Sequence, residues 1–233
     1  MKNNILIVLP LFNQGVFLQA AIPYLEQIDF ADILIVDDGS TDETDDLLDE
    51  CSWIKAVKVD NSIGIGAVVT VAFEYARDYE YDTMILIDSS SNEYFLVVDS
   101  ILEHIKYGYD VISASRILEN YDYTNFATET IKVFEAVAGA VNNETSFNIT
   151  DPLSSTMAIN INAMKYFELT ENDHSVFLQI WIQAAHFGLT VLEIPASCDK
   201  GFGSELELYE DPLGRFLSFI ETEKELYKKD TSH

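Results

Sequence analysis

Cysteines, basic residues and long apolar runs are all scarce in this sequence. Its two cysteines, Cys51 and Cys198, are too few and too far apart for a disulfide framework or a metal knuckle, which predicts ordinary thiols in a reducing compartment. No segment approaches the roughly 20 apolar residues of a membrane span. The first apolar run, residues 5–11, is broken by Pro10 and is too short for a signal-peptide core. We therefore expect a cytoplasmic protein without a transmembrane segment.

Basic side chains are heavily outnumbered by acidic ones. The chain has 40 Asp and Glu residues against 13 Lys and Arg, a formal net charge of -27, and only three of its residues are arginine. Nucleic acids and anionic membranes both bind to basic surfaces, so neither is an expected partner. We interpret the excess acid as a solvated surface that keeps the protein in solution, in preference to an acidic binding patch.

The length and composition favour a single folded unit. With 233 residues and 48% hydrophobic content, the chain can build one sizeable core and has little room for a second. An aromatic share of 12% and the lack of Pro-rich or Gly/Ser-rich tracts are not typical of disorder. We expect one domain over residues 1–233.

Three predicted strands, two of them apolar runs and the third carrying two serines, each end in a charged residue. They are residues 33–36, which precede Asp37 and Asp38, residues 83–87, which precede Asp88, and residues 111–115, which precede Arg116. Continuous apolar runs of this length are typical of buried parallel strands, so the charged residues would meet at the carboxyl edge of one sheet. Open α/β sheets bind their ligands at that edge. The pattern therefore predicts an α/β fold with a ligand site at these strand ends.

Glycines and hydroxyl residues mark the turns and helix starts. Ser40 or Thr41 can cap a helix whose first turn is rich in carboxylates, the sign that suits a helix N-terminus. Gly64 and Gly66 open another helix, where backbone N–H groups can approach a phosphate. The third glycine of the dinucleotide fingerprint is missing, which counts against a nicotinamide or flavin fold. Gly201 and Gly203 predict that residues 198–205 form a mobile loop.

The motifs of the chain follow an order that resembles a known family. They are Leu9-Pro10-Leu11-Phe12-Asn13-Gln14, Val36-Asp37-Asp38-Gly39-Ser40-Thr41-Asp42, Gly64-Ile65-Gly66-Ala67, Asp88-Ser89-Ser90, the run from Asp110 to Arg116, Thr150-Asp151-Pro152 and Glu193-Ile194-Pro195. Over nearly the whole chain the series resembles the family 2 glycosyltransferases of the GT-A fold, most closely the polyprenyl (dolichyl) phosphate mannosyl- and glucosyltransferases. The resemblance implies a Rossmann-like α/β/α sandwich around a mostly parallel sheet. It also implies inverting transfer of a sugar from a UDP- or GDP-linked donor to a polyprenyl phosphate or glycan acceptor.

The resemblance implies a nucleotide site built from the first motifs of the series. Pro10, Phe12 and Asn13 match the loop that stacks against the nucleotide base. Asp37 and Asp38 match the carboxylates that read the imide N–H of the base and the ribose. The implied nucleotide-binding residues are, in full, Pro10, Phe12, Asn13, Asp37, Asp38, Gly66, Asp88 and Ser90.

The diphosphate and its metal ion are implied at the next two motifs. Gly66 matches the position that lets the chain pass close to the nucleotide, and Asp88 matches the first carboxylate of the Asp-x-Asp motif. Ser90 stands where the second carboxylate, which holds the divalent cation, is expected. Mg2+ and Mn2+ favour anionic oxygen ligands over a neutral hydroxyl, so we expect weak metal binding centred on Asp88.

The resemblance leaves few cations on the acceptor side of the site. Met157 stands where the family has an arginine after the Asp-Pro turn, and Glu205 replaces the lysine that ends a Gly-x-Ser-Lys motif in the polyprenyl-phosphate branch. Arg116 remains for the diphosphate, and Lys200 with Ser204 remains for the acceptor or its phosphate.

A hydroxyl acceptor needs a base, whereas a polyprenyl phosphate arrives ionised. The candidate bases are Asp151, Glu93 and Asp173. Asp151 is the best placed by motif, and we assign it with Arg116 as catalytic, although Asp-Pro is equally an ordinary turn start. The four histidines show no metal-ligand spacing and are interpreted as non-catalytic: His104, His174, His186 and His233.

Three departures from the family pattern support a second hypothesis. Ser90, Met157 and Glu205 each remove a charge that the family's chemistry uses. The alternative is therefore a degenerate member that keeps the fold and serves as a nucleotide-binding, regulatory or scaffolding protein with protein partners.

Overall fold

The computed structural model of the chain describes residues 4–89, 96–118, 127–196 and 203–230, with the backbone alone at residues 204 and 228–230. Its strands are β1 Ile5–Leu11, β2 Asp32–Asp37, β3 Lys55–Lys58, β4 Thr83–Leu86, β5 Val111–Ser115, β6 Met157–Asn160 and β7 Val191–Pro195. Its helices are α1 Gly15–Leu25, α2 Thr44–Glu50, α3 Ile65–Asp78, α4 Val98–Ile105, α5 Thr128–Thr145, α6 Ile161–Met164, α7 Ser175–His186 and α8 Pro212–Asp230, and a 3-10 helix covers Ser204–Leu208.

One mixed sheet joins the strands in the order β3-β2-β1-β4-β6-β5-β7. All neighbours are parallel except β6, which runs antiparallel to both β4 and β5. Since β6 reverses the direction twice, β4 and β5 are themselves parallel and end at the same edge. The carboxyl ends of β2, β4 and β5 therefore share one edge of the sheet, as the sequence pattern predicts.

Both faces of the sheet are covered by helices, which confirms the α/β/α sandwich. Along β1, Leu6 and Val8 pack into one apolar cluster with residues of α3, α5, α7 and α8. Ile7 and Leu9 pack into the other cluster with residues of α1, α2 and α4. Because successive side chains of a strand point to opposite faces, an all-apolar strand must be buried on both sides.

Two local predictions are wrong. Helix α2 begins at Thr44, and Asp42 rather than Ser40 or Thr41 satisfies its first turn, since the Asp42 carboxylate accepts hydrogen bonds from the Thr44 N–H at 3.1 Å and hydroxyl at 2.5 Å. The C-terminal end of the predicted mobile loop instead forms the 3-10 helix, in which Glu205 is buried. Residues 198–202 of that loop lie outside the described ranges. No helix in the described ranges has both the length and the apolar character needed to cross a bilayer.

Candidate active site

A cleft of about 640 Å³ opens at the carboxyl edge of the sheet, beside the ends of β1, β2 and β4. Its walls come from the β1–α1 loop, the turn after β2, the segment before α3, the end of β4 and the residues before α7. The 3-10 helix closes one side. The cleft is in the range of volumes that small-molecule sites occupy. The cleft also adjoins β1. The chain adds β2 and β3 on one side of β1 and then returns to add β4 on the other side, and sheets of this kind bind ligands at such a switch point.

Asp38 fixes the wall that leads into α3. One of its carboxylate oxygens accepts the backbone N–H of Ile63 at 2.7 Å. The other accepts the Ser62 hydroxyl at 2.6 Å and the Gly64 N–H at 3.1 Å. The side chain is buried and borders the cleft. Asp38 therefore lies at the predicted site, where it also holds the loop of residues 62–64 in place.

Asp37 and Asn13 act within the loops and do not border the described cleft. The Asp37 carboxylate is buried and accepts both the hydroxyl of Ser40, at 2.5 Å, and its backbone N–H, at 3.1 Å. Asn13 has a positive φ of 52°, and its side-chain oxygen accepts the Thr41 N–H at 2.7 Å. The Asp37 bonds brace the β2–α2 turn, and the Asn13 bond joins that turn to the β1–α1 loop. Both side chains are engaged by partners within the protein, and their expected contact with the nucleotide stays a prediction.

Pro10 and Phe12 do border the cleft. Phe12 is 49% exposed, which is unusual for a phenylalanine beside a buried strand, and its ring is available for stacking. This placement agrees with the expected base-stacking loop.

Gly64 and Gly66 are required by a protein contact. A Cβ atom at Gly66 would lie 1.9 Å from the carbonyl oxygen of Glu171, and one at Gly64 would lie 2.3 Å from that of Asn172. The Gly66 N–H donates to the Asn172 carbonyl at 3.0 Å, so it is not directed at a phosphate. Gly66 thus makes room for the segment before α7, and the expectation that it also makes room for the nucleotide stays a prediction.

Asp88 is half-buried at the end of β4 and borders the cleft. Its backbone N–H donates to the Thr156 hydroxyl at 3.0 Å, and its carboxylate accepts the hydroxyl of Ser155. Among the described residues, no group of three or more His, Cys, Asp or Glu side chains is arranged to hold a metal ion. A single carboxylate still fits Mg2+ or Mn2+, which keep several water ligands and bind through one or two carboxylates and substrate phosphates. Ser90 lies outside the described residues.

Arg116 is buried and forms ion pairs with two carboxylates, those of Asp151 and Glu205. The Nε and Nη2 atoms of Arg116 lie 2.6 and 2.9 Å from the two Asp151 oxygens, and Nη2 lies 2.8 Å from Glu205 Oε1. The exposed fractions of the three side chains are 3%, 0% and 7%. Neither side chain borders the described cleft, so the assignments of Asp151 as base and Arg116 as diphosphate partner stay predictions that this arrangement does not favour.

Glu193 holds the turn that carries Asp151. Its carboxylate accepts the backbone N–H and hydroxyl of Thr150, at 2.7 and 2.9 Å, and the Asp151 N–H at 3.0 Å. Burial raises the pKa of Glu193, and these hydrogen bonds offset part of the rise. Burial likewise raises the pKa of Glu205, with the charge of Arg116 opposing it. The Asp-Pro turn is thus structural, the alternative that the sequence left open.

Met157 and Glu205, which the resemblance singled out, each have a structural setting. Met157 is fully buried in the core on β6, so an uncharged residue there follows from packing. Glu205 is the partner of Arg116 described above. Lys200 and the candidate base Glu93 lie outside the described residues, as does the side chain of Ser204.

The segment before α7 supplies site residues that the motifs did not indicate. Asp173, the third candidate base, borders the cleft and pairs with Arg215 at 3.0 Å. Burial alone would raise the pKa of Asp173, but the Ser175 hydrogen bonds and the charge of Arg215 outweigh it, and this pKa lies below its ordinary value. The polar run before a strongly apolar helix was the available sequence signal.

His174, which the sequence analysis interpreted as non-catalytic, also borders the cleft. Its Nδ1 atom is buried and has no hydrogen-bond partner in the described structure. Burial lowers the pKa of His174, which keeps the ring neutral at pH 7. Its backbone N–H donates to the Tyr209 hydroxyl at 3.3 Å, and burial raises the pKa of Tyr209 to about 12.

Comparisons with known proteins agree with this architecture. The sequence model of the family described as Glycosyl transferase family 2 matches residues 6–168. A curated relative, an uncharacterized protein of Methanocaldococcus jannaschii, is 24% identical over 202 residues, which cover 83% of this chain and 81% of its own length.

Solved structures of similar fold include glucosyl-3-phosphoglycerate synthase from Mycobacterium tuberculosis. Its complex with Mn2+, UDP and phosphoglyceric acid gives a TM-score of 0.73 at 15% identity, covering 95% of this chain and 78% of that one. Its complex with Mn2+, UDP-glucose and phosphoglyceric acid gives 0.72 at 16% identity, covering 95% and 80%. At these identities the likeness is one of fold, and it confirms the predicted GT-A architecture.

Proposed function

Because the chain belongs to glycosyl transferase family 2, matched over residues 6–168, we propose that it transfers a sugar from a nucleoside diphosphate sugar to an acceptor bound in the same cleft. The observation that carries the proposal is the convergence of Phe12, Asp38 and Asp88 on one cleft at the carboxyl edge of the sheet. These residues come from the ends of three neighbouring strands, the part of an open α/β sheet where ligands bind.

Each of these side chains suits a different part of the donor. The exposed ring of Phe12 offers a stacking surface to the base, and the Asp38 carboxylate offers an acceptor to a base or ribose donor group. Asp88 lies at the end of β4, where it would hold a divalent cation carried with the diphosphate. When bound, such a cation neutralises the charge that develops on the leaving diphosphate. UDP-glucose is the donor crystallised with the synthase of similar fold, so UDP-sugars are the first donors to test.

Calorimetric titration of UDP and GDP, each with and without Mn2+, tests the donor half of the proposal. We expect one nucleotide to bind, with an affinity that Mn2+ raises by tenfold or more. The Asp88→Asn variant should lose most of the Mn2+ effect while metal-free nucleotide binding persists. The matched control is Asp78→Asn, whose carboxylate is exposed on α3 outside the cleft and should leave both values unchanged. Absence of binding by either nucleotide overturns the proposal.

A second candidate is a family member that binds the nucleotide without transferring a sugar. It is favoured by the sequestration of Arg116 by two carboxylates, which leaves the described cleft without an arginine for the leaving diphosphate. The two candidates differ in turnover. Release of nucleoside diphosphate from UDP- or GDP-sugars in the presence of acceptors supports the transferase. Tight nucleotide binding with an intact donor after prolonged incubation supports the binding protein.

A further inference from the structure

We infer that the acceptor taken by this cleft is an uncharged hydroxyl compound, a sugar or polyol that carries no phosphate or carboxylate group. The inference rests on the proposed function and names the chemical class of the acceptor substrate. It follows from the charges that surround the cleft.

The side chains that border the described cleft include carboxylates and no lysine or arginine. The carboxylates are Asp38, Asp88, Asp173 and Glu205. Since His174 is kept neutral by burial, no cation within this wall is placed to bind an anionic acceptor.

Two arginines lie close to the wall without bordering the described cleft, and each contacts two acidic side chains. Arg116 is buried between Asp151 and Glu205, as described above. Arg215 lies between Glu171, at 2.6 Å, and Asp173, at 3.0 Å. With both acids counted as ionised, each cluster has a formal charge of -1, and each arginine is already held by two acidic side chains.

The internal segments outside the described ranges also contain more acidic than basic residues. Residues 90–95, 119–126 and 197–202 contain one basic residue, Lys200, against four acidic ones: Glu93, Glu119, Asp122 and Asp199. The whole chain has a formal net charge of -27. A donor diphosphate can bring its own divalent cation, but the described wall of the cleft offers no further lysine or arginine to a second phosphate on the acceptor. Like charges in a partly buried site repel strongly because water screens them poorly.

The same carboxylates suit hydroxyl groups. An ionised carboxylate only accepts hydrogen bonds, and the hydroxyls of a sugar or polyol supply donors for it. Tyr209 and the exposed Leu208 add apolar surface on the side of the 3-10 helix. This combination of acceptor oxygens and apolar surface matches an uncharged polyhydroxylated molecule.

With a hydroxyl acceptor, every bond and proton of the transfer reaction can be accounted for. The acceptor oxygen forms a bond to the anomeric carbon while the bond from that carbon to the diphosphate oxygen breaks, and the leaving nucleoside diphosphate takes the electron pair. The hydroxyl proton passes to the carboxylate of Asp173, which borders the cleft with a third of its side chain exposed. Asp151 is excluded from this role by its burial.

The test compares acceptors that differ only by a phosphate: glucose with glucose 6-phosphate, and glycerol with glycerol 3-phosphate. A short-chain polyprenyl phosphate is added as the lipid arm. With the donor whose nucleotide binds, we expect kcat/KM for the uncharged member of a pair to exceed that for the phosphorylated member by at least tenfold at low salt. Equal use of both members, or preference for a phosphorylated acceptor, overturns the inference while the transferase proposal stands. Failure of UDP and GDP to bind overturns both.

A charge inserted at the rim makes the test sharper. Leu208 is 70% exposed and borders the cleft, so Leu208→Lys adds a cation there without disturbing the core. We expect this variant to improve the use of phosphorylated acceptors severalfold. The matched control is Leu226→Lys on α8, where the side chain is 55% exposed and does not border the cleft. An unchanged acceptor ratio in Leu208→Lys contradicts the electrostatic explanation.

Discussion

Arg116 meets Asp151 through two parallel N–H to oxygen contacts, 2.6 and 2.9 Å long, and both side chains are buried. The pair joins the end of β5 to the turn before β6, so it fixes the wall behind the cleft. Removing one partner of a buried ion pair lowers the stability of the fold, whereas removing a catalytic base lowers turnover and need not affect stability. The stability of a variant that lacks the Asp151 carboxylate therefore shows whether Asp151 has a structural role.

We predict that Asp151→Asn lowers the free energy of unfolding by about 1.5–3 kcal/mol, the range for hydrogen bonds to a charged group, since it weakens the Arg116 contacts while Glu205 still balances the charge of Arg116. Urea denaturation monitored by circular dichroism gives the value. Asp82→Asn, in an exposed turn, is the control and should change stability little. A stable Asp151→Asn protein that has lost turnover alone would return Asp151 to a catalytic role.

The close approach of Gly66 to residue 171 gives a second prediction. Gly66→Ala places a methyl group 1.9 Å from a backbone oxygen, which the chain cannot relieve by turning a side chain. We expect a loss of about 2 kcal/mol or more in unfolding free energy, in the range of other overpacking changes. Gly139→Ala is a strong control because nothing lies within 4 Å of its Cβ position on α5. It should be stabilising by up to about 1 kcal/mol through helix propensity. Equal effects of the two changes would contradict this prediction, because they would show that the backbone of residues 171–172 moves readily to make room for the methyl group.

The exposed ring of Phe12 predicts a loss of nucleotide affinity on truncation. Phe12→Ala should weaken UDP or GDP binding by about fivefold to tenfold, since an aromatic stacking contact contributes about 1 kcal/mol beyond its buried area. Calorimetry measures the change. Phe187→Ala removes a phenylalanine of similar exposure, 41%, outside the cleft and should leave affinity unchanged. If both variants bind like the parent protein, the base does not stack on Phe12.

The ion pair of Asp173 with Arg215 predicts a pH dependence. The pKa of Asp173 is below its ordinary value, so its contribution to stability is present above the pKa of the unfolded chain and is lost as pH falls through the lower folded value. Arg215→Met removes the charge and should move the acid limb of kcat/KM, and the acid loss of stability, to higher pH. Arg77→Met, from an exposed pair on α3, serves as the control. An acid limb that does not move would remove Asp173 from the proton transfer.

The architecture was predictable because it depends on patterns that are local in the chain. Apolar runs such as residues 33–36 form strands buried on both faces, and the parallel order brings the charged strand ends to one edge. Strand β6 was the exception. Its apolar residues do not encode direction, and only the sheet shows that it runs antiparallel between β4 and β5.

Local patterns in the chain were enough to place Phe12, Asp38 and Asp88 at that edge. Which of the charged groups remain at the surface of the cleft depends on contacts that form only in the folded protein. Asp37 and Asp151 are satisfied by partners within the protein, and Gly66 serves the packing of a segment about 100 residues away. The physical reason is that burial and pairing depend on contacts distant in sequence. A motif records the residue type at a position, whereas its neighbours in the folded chain decide whether that residue can meet a ligand.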